Sequence, residues 1–166
     1  MEELRDARGL TEAEAIARYR SKNYPKPALT ADIVVFTRAC EKWQVLLIRR
    51  KGHLFLGKLA FPGGFANENE PIEQTAAREL EEETGVSGLA LRLVDVFSAP
   101  GRDPRGWTVS AAFMAVVDQK PAVHAGDDAA DAFWLDLDQI DAAQLAFDHA
   151  QILKRAAEML PDAAPC

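Results

Sequence analysis

The stretch FPGGFANENEPIEQTAARELEEETGV, residues 61–86, sets a glycine-rich turn shortly before a helix that ends in a crowd of acids. Pro71 suits a first helical position, Glu73 follows it, and Gly85 suits the left-handed residue that stops a helix. The spacing therefore predicts a helix over 71–84. At about 100° per residue, Glu79, Glu82 and Glu83 fall on one side of it. They repel one another there, at the helix end whose partial charge favours cations. A charge run is ordinarily a solvated face. These acids share a side, occupy the unfavourable end and follow Pro62-Gly63-Gly64, where the backbone can approach a ligand closely and offer carbonyls. A bound cation accounts for all three features.

Composition describes an ordinary globular host for such a site. With 166 residues, 48% hydrophobic and 27% charged, the chain is read as one domain able to bury about two-thirds of its unfolded surface. A net charge of −7 argues against nucleic-acid or anionic-membrane partners, which select a basic face. An anionic substrate needs arginines or a metal. Cys40 and Cys166 make neither a disulfide framework nor a zinc pattern, so a cytoplasmic location is expected. No apolar run reaches the ~18 residues of a membrane span, and MEELRDARGL is no export signal.

Along the chain, strands and helices alternate. Thr11-Glu12-Ala13-Glu14 is a capping-box pattern opening a helix to about Arg20, so residues 1–25 are read as a helical extension packing on the domain, which occupies 26–166. Strand patterns follow at 31–38, 43–50, 89–99, 107–117 and 132–137. Residues 145–160 have Phe147, Ile152, Ala156 and Leu160 at helical spacing, as in a core-facing helix. The fold class is mixed α/β, with helices covering a sheet.

The segment Gly64-x5-Glu70-x7-Arg78-Glu79-Leu80-x-Glu82-Glu83-x-Gly85-Val86 resembles the Nudix box at every defined position. The resemblance implies an α/β/α sandwich around a mixed sheet. It also implies hydrolysis of a nucleoside diphosphate linked to another group, with Mg²⁺ or Mn²⁺. Hard cations on carboxylates neutralise a pyrophosphate and acidify bound water, which suits this chemistry. Carried over by position, Glu79, Glu82 and Glu83 hold the metal, with the Gly63 carbonyl as a further ligand. Arg78 steadies the acids by a salt bridge and Glu70 braces the loop. Leu80, with Ala76 and Ala77, faces the core, while Glu73 and Glu81 are solvated. The group that orients the attacking water is left open among family members; Asp128 is the candidate here, with a turn-forming Asp127-Asp128 pair as the alternative.

Substrate signals lie elsewhere. SAPGRDPRGWTVSAAF, residues 98–113, holds Arg102, Asp103 and Arg105 in a turn between strands, where guanidiniums can meet phosphate or ribose oxygens; a solvated hairpin turn is the alternative. With YPKPALTADIVVF upstream and AFDHAQILKRA downstream, it resembles the ADP-ribose pyrophosphatase branch across about residues 24–157. That resemblance implies cleavage of ADP-ribose to AMP and ribose 5-phosphate by a symmetric homodimer. Arg50, Phe65, Arg102 and Arg105 are the candidate substrate contacts, with a strand-end charge as the alternative for Arg50. Leu59-Ala60-Phe61 stands where this branch commonly has Trp-Ala-Leu, which changes how the nucleoside half is held. His53, His124 and His149 receive no catalytic role, and His149 beside Asp148 is read as helix-start hydrogen bonding. Two alternatives accompany this reading. One is a non-catalytic ADP-ribose sensor, since similar domains are joined to DNA-binding winged helices. The other is a hydrolase for oxidised nucleotides, NADH or dinucleoside polyphosphates.

Overall fold

Strand β1 (Ala28–Ala39) carries the architecture because both its faces are apolar. Its side chains alternate across the sheet. Ala31, Ile33 and Val35 pack with Leu46, Ala76 and Leu80 on one face, while Val34 and Phe36 pack with Val45, Leu47, Ile152 and Ala156 on the other. The structure is a computed structural model, and it describes residues 4–39, 41–126 and 129–161. Cys40, Cys166 and the Asp127-Asp128 pair lie outside the described residues.

Strand β2 (Lys42–Arg50) pairs antiparallel with β1, and β6 (Thr108–Val117) pairs with it in parallel, from Ala28 against Thr108 to Thr37 against Val117. Strand β5 (Arg92–Phe97) lies antiparallel outside β6. The short β3 (Leu59–Ala60) and the longer β7 (Ala129–Asp136) both pair with β2, while β4 (Gly63–Phe65) pairs with β1. Helix α2 (Ile72–Thr84) covers one face of this mixed sheet and α3 (His149–Ala157) the other, which is the expected α/β/α sandwich. Among the described residues no helix is long and apolar enough to cross a membrane.

Helix α2 starts one residue later than its sequence predicts, with Pro71 as N-cap and not as its first residue, and Gly85 at φ 74° closes it as expected. Ala76 and Leu80 are buried as expected, but Ala77 is exposed and Thr75 and Thr84 are buried in its stead. The threonines hold their hydroxyls satisfied: Thr84 Oγ1 donates to the Leu80 carbonyl at 2.6 Å and Thr75 Oγ1 to Glu70 at 2.8 Å.

Helix α1 (Glu12–Arg20) has its capping box, yet none of its residues is buried. Within the extension Thr11 is buried at the N-cap, Leu10 and Ala15 are half-buried, and Ile16 and Tyr19 are exposed. Phe147 also departs from expectation. It precedes α3 at φ 50° instead of lying on its core face. Strands β3 and β4 flank Pro62 around the glycine-rich turn, where no strand pattern is legible; only their partners on β2 and β1 supply the ladder that makes them strands.

Candidate active site

The acids of α2 converge on Arg78. Its Nε and Nη2 take Glu70 in a two-pronged pair at 2.8 and 2.9 Å, and Nη1 reaches Glu79 at 2.5 Å and Glu82 at 3.1 Å. Nη2 also donates to the Phe65 carbonyl at 3.0 Å, tying β4 to the helix. A planar guanidinium can serve so many oxygens because its donors form a rigid fork. Glu70 is held well below the usual carboxylate range by Arg78 and by the Asn67 N–H. Glu79 moves the other way: burial raises its pKa and the Glu82 and Glu70 charges add to that, outweighing Arg78. A half-buried carboxylate beside other carboxylates is unfavourably charged, so further positive charge is welcome there.

Two glycines bring the backbone up to these acids. A Cβ on Gly64 would stand 2.6 Å from the Glu79 carboxylate, and one on Gly63 would stand 2.2 Å from the Ala31 carbonyl. Pro62 and Ala66 bond to β1 through Ile33 and Leu29, so Gly63 turns its N–H and carbonyl away from that strand. Its N–H donates to Glu83 Oε2 at 2.9 Å. The Gly63 carbonyl therefore shares a side with Glu83. These hard oxygen donors, with a backbone cradle that admits no side chain, fit a divalent cation. Among the described residues no three acidic, histidine or cysteine side chains stand close enough to form a ready-made cage. Glu82 is the outlying member, with 58% of its side chain exposed.

A cleft of about 450 Å³ brings Glu79, Glu83 and Gly63 together with Arg50 and Arg105. Arg105 is aligned by buried Asp103, at 3.0 Å from Nε and 2.6 Å from Nη2, and its guanidinium lies 4.6 Å from the Phe65 ring centre and 5.4 Å from that of Phe147. Burial pushes the Asp103 carboxyl up, but Arg105 outweighs it and the pKa is lowered. Arg50 donates to the Leu54 carbonyl at 2.8 Å and lies 5.0 Å from the Phe147 ring centre. Its pKa is lowered by burial and by the neighbouring Arg105 charge.

Arg102 is differently placed from what its sequence suggests. Only 5% of its side chain is exposed, and Nε and Nη2 are spent on Asp148 at 2.8 and 2.6 Å. It borders the cleft but is bound to the protein. Around it lies a polar network that sequence reading missed. Asp32, buried on β1, accepts from Ser110 Oγ at 2.5 Å and faces His149 Nε2 at 3.3 Å and Arg102 at 3.9 Å. Burial alone would raise the Asp32 pKa, yet His149, Ser110 and Arg102 hold it below its ordinary value. His149 begins α3, but its side chain serves another element: its Nδ1 accepts from the Phe61 N–H at 3.0 Å. One signal was available: an isolated acid inside the apolar run ADIVVF must find partners wherever it is buried.

Leu59, at the position of the expected tryptophan, is buried in the core, and Phe61 stacks on His149 with ring centres 5.1 Å apart. At the far end of α2, Gly126 donates to the Glu83 carbonyl at 3.0 Å.

Comparison with known proteins identifies the family. The family model described as NUDIX domain matches residues 26–156. An ADP-ribose pyrophosphatase of Methanocaldococcus jannaschii is 40% identical over 132 residues, 79% of this chain and 73% of that protein. The ADPR responsive transcriptional repressor NtrR of Acinetobacter baylyi is 31% identical over 148 residues, 88% of this chain but 59% of the repressor. The NUDIX domain of Shewanella oneidensis NrtR, solved in complex with ADP ribose, superposes with a TM-score of 0.81 at 35% identity, covering 92% of this chain and all of that one.

Proposed function

From the premise that the chain belongs to the NUDIX domain family and is a Nudix hydrolase, we propose that it cleaves ADP-ribose at the pyrophosphate, giving AMP and ribose 5-phosphate. The observation that carries this reading is the meeting, in one cleft, of Glu79, Glu83 and Gly63 with the guanidiniums of Arg50 and Arg105. The pyrophosphatase relative supports the choice of substrate.

Glu79, Glu82, Glu83 and the Gly63 carbonyl would hold Mg²⁺ or Mn²⁺, which supplies charge neutralisation and an acidified water when bound. Arg78 ties Glu79 and Glu82 to one guanidinium nitrogen and so limits their rotamers, which leaves less reorganisation for the reaction. Arg50 and Arg105 offer positive charge to the diphosphate within the same cleft, and the Phe65 and Phe147 rings limit how far Arg105 can swing. Asp128 is our assignment for the group that takes the proton from water; Asp128→Asn would then lower turnover without weakening metal binding. The assembly we infer is a symmetric homodimer, read by light scattering.

A second reading is a sensor that binds ADP-ribose without cleaving it, and similarity to the NtrR repressor favours it. Steady-state hydrolysis separates the two. ADP-ribose, NADH, a dinucleoside tetraphosphate, an oxidised dGTP and a GDP-sugar would each be assayed with Mg²⁺ and with EDTA. Metal-dependent AMP release, with kcat/KM for ADP-ribose at least about tenfold above the rest, is expected. Another preferred substrate would overturn the ADP-ribose assignment, and tight ADP-ribose binding without turnover would favour the sensor.

A further inference from the structure

We propose that His149 is a positioning residue for cation binding, acting on the Phe61-Pro62-Gly63 segment through both ring nitrogens. Each of these three residues is tied to a different element. The Phe61 N–H donates to His149 on α3, the Pro62 carbonyl accepts from Ile33 on β1, and the Gly63 N–H donates to Glu83 on α2. Together the three ties set the direction of the Gly63 carbonyl. Proline has no N–H to add a fourth.

The chemistry of the ring defines what His149 does. Because Nδ1 accepts a hydrogen bond from a backbone N–H, it carries no proton, so the neutral ring carries its proton on Nε2. That proton faces Asp32 Oδ1 at 3.3 Å. Asp32 is itself anchored by Ser110 and is the register partner of Gly63 across the β1–β4 ladder. The imidazole thus accepts on one edge and donates on the other, clamping the segment before Gly63 to the strand opposite it. The ring is 97% buried and stacked on Phe61 at an interplanar angle of 18°, so it has no freedom to turn. Its tie to the cation site runs through the Phe61 backbone N–H, two residues before Gly63.

The inference rests on the cation reading above, and the test separates the two. Mn²⁺ binding to the full chain would be followed by electron paramagnetic resonance for the wild type, Glu83→Gln, His149→Asn and His149→Gln. Asparagine can place an acceptor near the former Nδ1 and keep the Phe61 bond; glutamine reaches toward Asp32 and leaves the Phe61 N–H without its acceptor. We expect His149→Gln to weaken Mn²⁺ binding about tenfold and His149→Asn to stay within about twofold of wild type. Turnover of His149→Gln should recover at saturating Mn²⁺, which a general loss of structure would not allow. Equal Mn²⁺ affinity in both variants, whether weakened or not, overturns the proposal, as does weakening by asparagine alone. Failure of the wild type to bind Mn²⁺, with Glu83→Gln unchanged from it, overturns the cation reading itself. Should a variant not fold, nitrogen NMR of wild-type His149 decides: Nδ1 unprotonated and Nε2 protonated is expected, and the opposite tautomer sinks the idea.

Discussion

Arg78 and Arg102 both border the cleft among carboxylates, and in sequence either could be a phosphate ligand or a brace. The fold treats them differently. Arg78 keeps 26% of its side chain exposed and spreads its donors over Glu70, Glu79, Glu82 and the Phe65 carbonyl. Arg102 is 5% exposed and committed to Asp148. The first organises acids that leave charge to spare, while the second closes a buried account of opposite charges. An arginine's task is set by which acids the tertiary structure brings within reach and by how much water remains.

The sharpest way to break this contrast is Arg102→Ala. It leaves Asp148 and Asp32 buried without their cation, and urea unfolding should show a loss of about 3–5 kcal/mol. A loss below about 1 kcal/mol with a raised KM for ADP-ribose would return Arg102 to substrate binding. Glu83→Gln should leave urea stability near wild type while lowering kcat about 100-fold or more, equivalent to about 2.7 kcal/mol. Near-normal turnover would remove the acids from the cation site.

Arg105 sharpens the comparison from the rim, because 44% of its side chain is exposed although Asp103 aligns it. Arg105→Ala should raise KM for ADP-ribose about five- to tenfold with kcat little changed, about 1 kcal/mol of uniform binding. Loss of kcat with constant KM would mean that it acts only in the transition state.

The smallest effect concerns pH. Glu79 has a raised pKa in the folded protein, chiefly from burial. Its ionisation therefore opposes folding: the penalty is absent below its unfolded pKa, near 4, and complete only above the raised folded one. Glu79→Gln should accordingly stabilise the metal-free protein by less than about 1 kcal/mol at pH 7, and the gain should vanish near pH 4. Melting curves at the two pH values check this, and an equal gain at both would show that charge is not its cause.

Helix α2 and its acids were legible because a helix repeats within four residues. Pro71, Gly85 and the period bring Glu79, Glu82 and Glu83 together on one turn wherever the helix lies. The same period misplaced Ala77, since how wide a helical face is buried depends on the sheet beneath it. The apolar alternation of β1 was legible too, whereas β3 and β4 were not, being two- and three-residue strands with no pattern of their own. Phe147 fits a helical stripe by spacing but sits at φ 50° in the cleft, where Arg50, Arg105 and Phe55 surround it.

By itself the sequence determined the acidic helix end, the glycines that approach it, the mixed α/β class and the family, because each depends on neighbours a few residues apart or on a motif read in one stretch. Only the tertiary structure decided that Arg102 belongs to Asp148, 46 residues away, and that His149 meets the Phe61 N–H, 88 residues away. Buried polar groups must find partners when water leaves, and sheet register and helix docking, not local spacing, choose which ones they find.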